Sequence, residues 1–266
     1  MKKYWHVFNI GIQNTLVYRA NFLFRSAFGL IPLFATISLW RAIYGSKEGD
    51  IAGYTLAQMI SYYLVIAIVD ALTAVAEDDW QIAADIKDGN ISQFLLKPID
   101  YLSYRFTLYA AGRIMFTICA IVPAGLFIFF HRDNLVLPTE FGIWAAFALS
   151  IALTALLQFL LSFTMALLAF WVLDVSTFIF ILYAFETLAS GHFFPIDILP
   201  APMMQALYFT PFPYQLFFPV NICLGRVHGA ALAQGLAIQA CWVVGLYLLA
   251  RLVWARGIRK YSAVGG

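Results

Sequence analysis

Apolar residues fill most of this chain in long runs, and the polar positions collect in short clusters between them. The runs lie at 22–44, 54–75, 104–130, 142–172, 176–189 and 230–253, and few charged residues interrupt them. A run of about 18 or more such residues predicts a helix able to cross ~30 Å of hydrocarbon. The fourth run would reach roughly 46 Å as a helix, so it must tilt or protrude. The fifth, 176–189, is too short to cross alone. Pro32 predicts a kink in the first run, and Asp174 marks the turn after the fourth. The pattern predicts an all-α polytopic membrane protein with six transmembrane helices, forming one transmembrane domain over 1–266.

Two further segments have patterns of their own. Within residues 1–21, Trp5, Phe8, Ile12 and Leu16 share one helical face, and Lys2, His6, Asn9 and Gln13 share the other. That reads as an interfacial helix on membrane lipid or as a loose N-terminal arm. Segment 190–225 carries Pro195, Pro200, Pro202, Pro211, Pro213 and Pro219, so no continuous helix runs through it. It is nonetheless mostly apolar. Irregular backbone at membrane depth is tolerated only when buried in protein or lining a cavity. The segment therefore reads as short re-entrant helices on the outer side, completing the short fifth span and closing the outer end of a path.

Composition agrees. Charged residues make up 11% of the chain and hydrophobic ones 63%, against roughly 25% charged in soluble domains. A net charge of +2 gives no sign of a nucleic-acid partner. Six spans put both termini on one side. With that side inside, eleven Lys and Arg lie in inner segments and four in outer ones, which predicts cytoplasmic termini. After Lys2 and Lys3 no apolar core or small-residue cleavage site marks a cleavable signal peptide. Cys119, Cys223 and Cys241 are widely spaced and read as apolar fillers, with no disulfide framework or metal site. No phosphate-binding loop, H-E-x-x-H or G-x-S-x-G motif occurs. No catalytic residue, metal ligand or bound cofactor is expected of this chain.

The densest polar cluster lies between the second and third spans. Glu77, Asp78, Asp79, Asp85, Asp88 and Asp100 are six of the chain's fourteen acids, and Lys87 and Lys97 lie among them. Taken as a helix, 77–88 places Asp78, Gln81, Asp85 and Asp88 on one face and Ile82, Ala83 and Ile86 on another. Gly89–Asn90 stops it and Pro98 prevents its resumption. A short helix with an acidic and an apolar face suits a groove in a soluble partner. A solvated acidic loop gives the same pattern.

Of the few ionisable groups inside the runs, Asp70, Arg113 and Glu186 stand out, with His192 just beyond. A charge at mid-membrane must pair, reach water or serve a pathway. Asp70 and Arg113 read either as a structural pair or as part of a substrate path. Glu186 and His192 read either as cargo contacts or as a structural hydrogen bond.

Three motifs resemble the membrane subunits of bacterial type-2 ABC exporters. The first is Gly89 followed by Leu95-Leu96-Lys97-Pro98. The second is Ser190-Gly191 with Pro195, Pro200, Pro211 and Tyr214 in order. The third is the tail RKYSAVGG. The resemblance implies a six-span permease that pairs with itself or with a paralogous permease in the bacterial inner membrane. Separate ABC ATPase subunits would hold the ATP and Mg and dock on a coupling helix within 76–100. The docking residues would be Asp78, Ile82, Asp85, Ile86, Asp88, Gly89, Leu95 and Leu96. Aromatic and aliphatic walls suggest a hydrophobic or amphipathic cargo. The competing classes are a stand-alone secondary transporter or channel, which needs an ion relay this chain is poor in, and an intramembrane lipid-modifying enzyme built on Ser190, His192 and Glu186.

Overall fold

The computed structural model describes residues 2–17, 19–46, 49–75, 78–132, 135–136, 138–172 and 174–261, apart from the side chains of Arg19 and Asp78. The described residues form α-helices joined by turns, with no strand and one isolated bridge between Ile51 and Tyr54. Helices α1 (Lys2–Val17) and α2 (Arg19–Gly45) lead into α3 (Leu56–Thr73). The charged segment folds as α4 (Asp78–Lys87) and α5 (Ile91–Leu95). Then come α6 (Tyr101–Phe130), α7 (Phe141–Ala166), which tightens into a 3-10 turn at Leu167–Phe170, and α8 (Ser176–Ala189). The proline-rich segment holds α9 (Ala201–Tyr208) and α10 (Phe217–Cys223), and α11 (Gly229–Lys260) closes the fold.

Local chemistry sets these boundaries. Thr55 and Gln58 form a reciprocal capping box that opens α3. The Asp100 carboxylate accepts from the Ser103 amide at 3.0 Å and opens α6. Gly89, at φ +79°, takes the left-handed turn that ends α4.

Five of the described helices, α2, α3, α6, α7 with its 3-10 turn, and α11, are long and apolar enough to cross a membrane. The fifth predicted span is α8, with 14 residues, or about 21 Å of helix. Helix α3 is the centre of the bundle, in contact with α2, α6, α7 and α10. Of its most apolar stretch 56% is buried, against 11% for α2 and α6. The outer helices present wide apolar faces outward, as a bundle in lipid does.

Helix α1 packs along α6, with Gly11 against Ala111 and Leu108. Trp5 and Leu16, on the apolar face read from the sequence, stay exposed. Val7 and Gly11 are the residues α1 buries.

The proline-rich segment is broken, as its prolines require, into 3-10 turns at Ile196–Ile198 and Phe212–Tyr214 and the helices α9 and α10. Its two halves differ. No residue of α9 is buried, whereas all of α10 is.

The two ends of the bundle are chemically distinct. At one end, Lys3 donates to the Pro98 carbonyl, Arg251 pairs with Asp100, and the Tyr261 hydroxyl donates to the Gly89 carbonyl at 3.0 Å. At the other, the Tyr54 hydroxyl lies 2.9 Å from Asp197 Oδ2 and 3.0 Å from Asn221 Oδ1. The Arg226 guanidinium sits 3.7 Å over the Tyr54 ring and donates to the Gly53 carbonyl at 2.8 Å.

The structure corrects the docking face read for α4. Ile82 and Ile86 are 0% and 4% exposed and belong to the chain's own core. Helix α4 lies on α7 and the 3-10 turn that follows it, so its apolar face is covered from within. The acidic face is partly consumed as well. Asp85 accepts from the Tyr101 hydroxyl at 2.7 Å and lies 3.9 Å from the buried Arg105 guanidinium.

Candidate functional site

Two adjoining cavities open inside the bundle, of about 370 Å³ and 450 Å³. The first lies among α2, α3 and α6, and the second among α3, α7 and α8. Arg25, Asp70, Ala74, Val75 and His192 line both, so the two meet along the end of α3 and the turn after α8.

The ionisable groups predicted from the sequence converge here. Asp70 on α3 lies 3.4 Å from His192 Nδ1, with side chains 31% and 42% exposed toward this space. Arg113 on α6 lines the first cavity, within electrostatic reach of Asp70 and 4.9 Å over the Phe116 ring. Glu186 on α8 lines the second. The sequence offered Asp70 with Arg113 and Glu186 with His192 as structural pairs, whereas the structure sets His192 against Asp70. Helices α2, α3, α4, α6 and α8 and the turn after α8 thus bring Arg25, Asp70, Asp79, Arg113, Glu186 and His192 into one mixed-sign chamber among apolar helices. Charges placed among apolar helices are costly unless they pair or reach water.

Tyrosines of α3 hold the chamber's rim. The Tyr62 hydroxyl donates to the Gly191 carbonyl at 2.7 Å, and that of Tyr63 to the Phe193 carbonyl at 2.6 Å. Gly191 stands at φ +89°, and a Cβ there would sit 2.6 Å from Tyr62 Oη. Only glycine fits this turn.

Sequence reasoning missed Arg25 as a chamber residue, because it was read only as an inner-side positive charge. It also missed Gln158 and Ser162 of α7, four residues apart on one face of an apolar helix, and Trp80. The 4-residue spacing was the available signal.

Of the predicted docking residues, Leu95 and Leu96 project outward, 50% and 88% exposed. Asp88 is exposed and Gly89 half-buried beside it. Asp85, Ile82 and Ile86 are turned inward as described, and the side chain of Asp78 lies outside the described residues.

The enzyme alternative rests on Ser190, His192 and Glu186. His192 faces Asp70, and Ser190 Oγ has no hydrogen-bond partner among the described residues, so no nucleophile–base pair forms. Among the described residues no three His, Cys, Asp or Glu side chains gather as metal ligands.

Neither the curated proteins nor the solved structures contain a match to this chain. The family described as ABC-2 family transporter protein matches residues 30–265, from the second helix through the tail and across both cavities. With that match over most of its length, and with a helical bundle built around a charged chamber, the chain belongs to the ABC-2 transporter family as a multi-pass membrane component of an ABC transporter.

Proposed function

We propose that this chain is the permease of an ATP-driven exporter. It takes a hydrophobic or amphipathic cargo from the inner leaflet or cytoplasm into the chamber and releases it past the proline-rich outer segment. Separate ABC ATPase subunits hold ATP and Mg and dock on the charged end of the bundle, around Leu95, Leu96 and Asp88. Two permease chains, identical or paralogous, complete the membrane unit. The membrane is a bacterial inner membrane with both termini in the cytoplasm, and 190–225 re-enters from the outer face. This chain performs no catalysis of its own.

The observation that carries the reading is the join between docking segment and chamber. Asp79 and Trp80 belong to α4, yet they line the second cavity, where Trp80 meets Phe180 of α8 edge to face at 5.7 Å. The opposite side of α4 is anchored through Ile82 and Ile86. An ATPase that shifts this end therefore moves a wall of the chamber directly. Such displacement is a rigid-body route from a docking site to a binding site.

The test is reconstitution with the cognate ATPase in liposomes. Trp80→Ala is expected to keep the ATPase bound and hydrolysing while ATP-driven release of a lipophilic probe falls several-fold. Probe release by the purified chain alone, driven by an ion gradient and indifferent to ATP, would replace this reading with that of a secondary transporter.

A further inference from the structure

At the end of the bundle opposite the charged segment, three stretches remote in sequence meet at Tyr54. They are the turn before α3, the 3-10 turn Ile196–Ile198, and the link between α10 and α11. Tyr54 is 0% exposed, and its hydroxyl lies 2.9 Å from Asp197 Oδ2 and 3.0 Å from Asn221 Oδ1. The Asn221 amide turns its oxygen there because its Nδ2 donates to the Phe217 carbonyl at 2.9 Å. Both neighbours of the hydroxyl are acceptors. A phenol carries one proton, so it serves one of them at a time.

The two acceptors belong to parts of the proline-rich segment that are held differently. Asn221 is on α10, which is buried throughout. Asp197 opens the stretch 197–210, whose helix α9 buries no residue. Helix α9 packs on the 3-10 turn Phe212–Tyr214 of its own segment, and Leu199 and Leu207 lean on the core. Pro195 and Pro211 bracket the stretch, so no continuous helix carries it into its neighbours. Among the described residues, the hydrogen bond and the ion pair that tie 197–210 to the rest of the bundle both run from Asp197, to Tyr54 and to Arg226 at 3.7 Å.

Were Asp197 to leave, nothing buried would be stranded. Arg226 donates to the Gly53 carbonyl at 2.8 Å and lies over the Tyr54 ring, and its amide donates to the Asn221 carbonyl at 2.9 Å. Those contacts hold it in place without Asp197. The Tyr54 proton would turn to Asn221, so a buried donor keeps a partner in both arrangements. The Asp197 and Arg226 side chains are already 27% and 25% exposed, and an ion pair so near water contributes little. A second acceptor in waiting and a receiving half that keeps its shape make this contact able to open and reclose.

We propose that residues 197–210 form a flap over this end of the bundle, that Asp197 is its latch, and that Tyr54 switches its proton from Asp197 to Asn221 when the flap swings away. Its role rests on the permease reading, in which the flap opens as cargo leaves.

The test is hydrogen exchange of the full chain in lipid nanodiscs, read by mass spectrometry over 198–209 and, as a control, over α10. Asp197→Ala is expected to raise exchange over 198–209 at least fivefold and to leave α10 unchanged. Asn221→Leu takes away the waiting acceptor, so opening strands the Tyr54 proton, and exchange over 198–209 is expected to slow at least threefold. A residue that merely stabilised the fold would speed exchange when replaced. Unchanged exchange in Asp197→Ala overturns the latch, and a rise that spreads equally to α10 overturns the flap. Unchanged or faster exchange in Asn221→Leu, with the melting temperature kept, overturns the proton switch. If Asn221→Leu melts lower, Tyr54→Phe decides. It is expected to raise exchange over 198–209 at least twofold with α10 unchanged, and no rise overturns the part given to Tyr54. The measurement is repeated on the chain reconstituted with its cognate ATPase, where ATP turnover is expected to raise exchange over 198–209 at least fivefold. A complex that hydrolyses ATP yet leaves 198–209 unchanged sinks this inference alone, and a complex that never forms sinks the permease reading.

Discussion

Single residues decide the rim of the chamber. At Gly191 two constraints coincide: a left-handed backbone and a tyrosine hydroxyl where a Cβ would stand. Gly191→Ala is expected to cost about 1–3 kcal/mol, from the backbone conformation and the displaced Tyr62 hydrogen bond together. A thermal melt of the purified chain measures this. A melt equal to that of the unmodified protein would mean the turn is free to relax. The charged residues at the chamber were legible in the sequence because charge is rare in apolar runs, and Asp70, Arg113, Glu186 and His192 all reached it. Their pairing was not legible. Which side chains meet depends on how α3, α6 and α8 converge, and no spacing within one helix encodes that. Gln158 and Ser162 escaped notice for a different reason. A lone glutamine or serine in an apolar helix usually bonds a neighbouring helix or its own backbone, as Gln239 does here.

Among the elements, the transmembrane helices were the easiest to read, since a long apolar run has no other stable conformation in lipid. Helix α8 came out with the predicted bounds, and α4 within one residue of them. The use of α4's apolar stripe did not follow. Its 3.6-residue period marks a face that must be covered, and the cover is α7 rather than a partner protein. That division yields a paired prediction. Ile86→Arg buries a charge against α7 and is expected to lower the melting temperature strongly, so any loss of ATPase binding reports misfolding. Leu96→Arg changes a side chain that is 88% exposed and is expected to leave the melt within about 0.5 kcal/mol of the original while ATPase co-purification drops at least fivefold. Full ATPase binding by Leu96→Arg would move the docking site elsewhere.

On the scale of the whole molecule, the charged segment is tied to both ends of the chain. Lys3 reaches Pro98, Arg251 reaches Asp100 and Tyr261 reaches Gly89, so α1 and α11 are strapped to one short stretch, which Asp100 joins to α6 as its cap. A force applied there is shared among three helices. The Arg251 strap titrates. Partial burial raises the proton affinity of Asp100, but hydrogen bonds from Arg251 and Ser103 outweigh it and hold the carboxyl below its ordinary pKa. A group with a depressed folded pKa contributes stability that is fully present above its unfolded value and is lost as pH falls through the folded value. The difference in melting temperature between the unmodified chain and Asp100→Asn is therefore expected to be constant from neutral pH down to about 5. It should shrink below about 4, near the ordinary carboxylate range. A difference undiminished at pH 3 would show that the ion pair is not its source.

The tyrosines of α3 also constrain the protein's manufacture. Tyr62 and Tyr63 find their acceptors 129 and 130 positions downstream, and Tyr54 finds Asn221 167 positions downstream. A ribosome adding about 5–20 residues per second leaves many seconds between the emergence of these donors and of their acceptors. During that interval the third helix has left the ribosome while the segments that enclose it do not yet exist. Its phenol groups must be sheltered by the insertion machinery or by water. The central helix of the finished protein is thus made before the acceptors of its tyrosines exist.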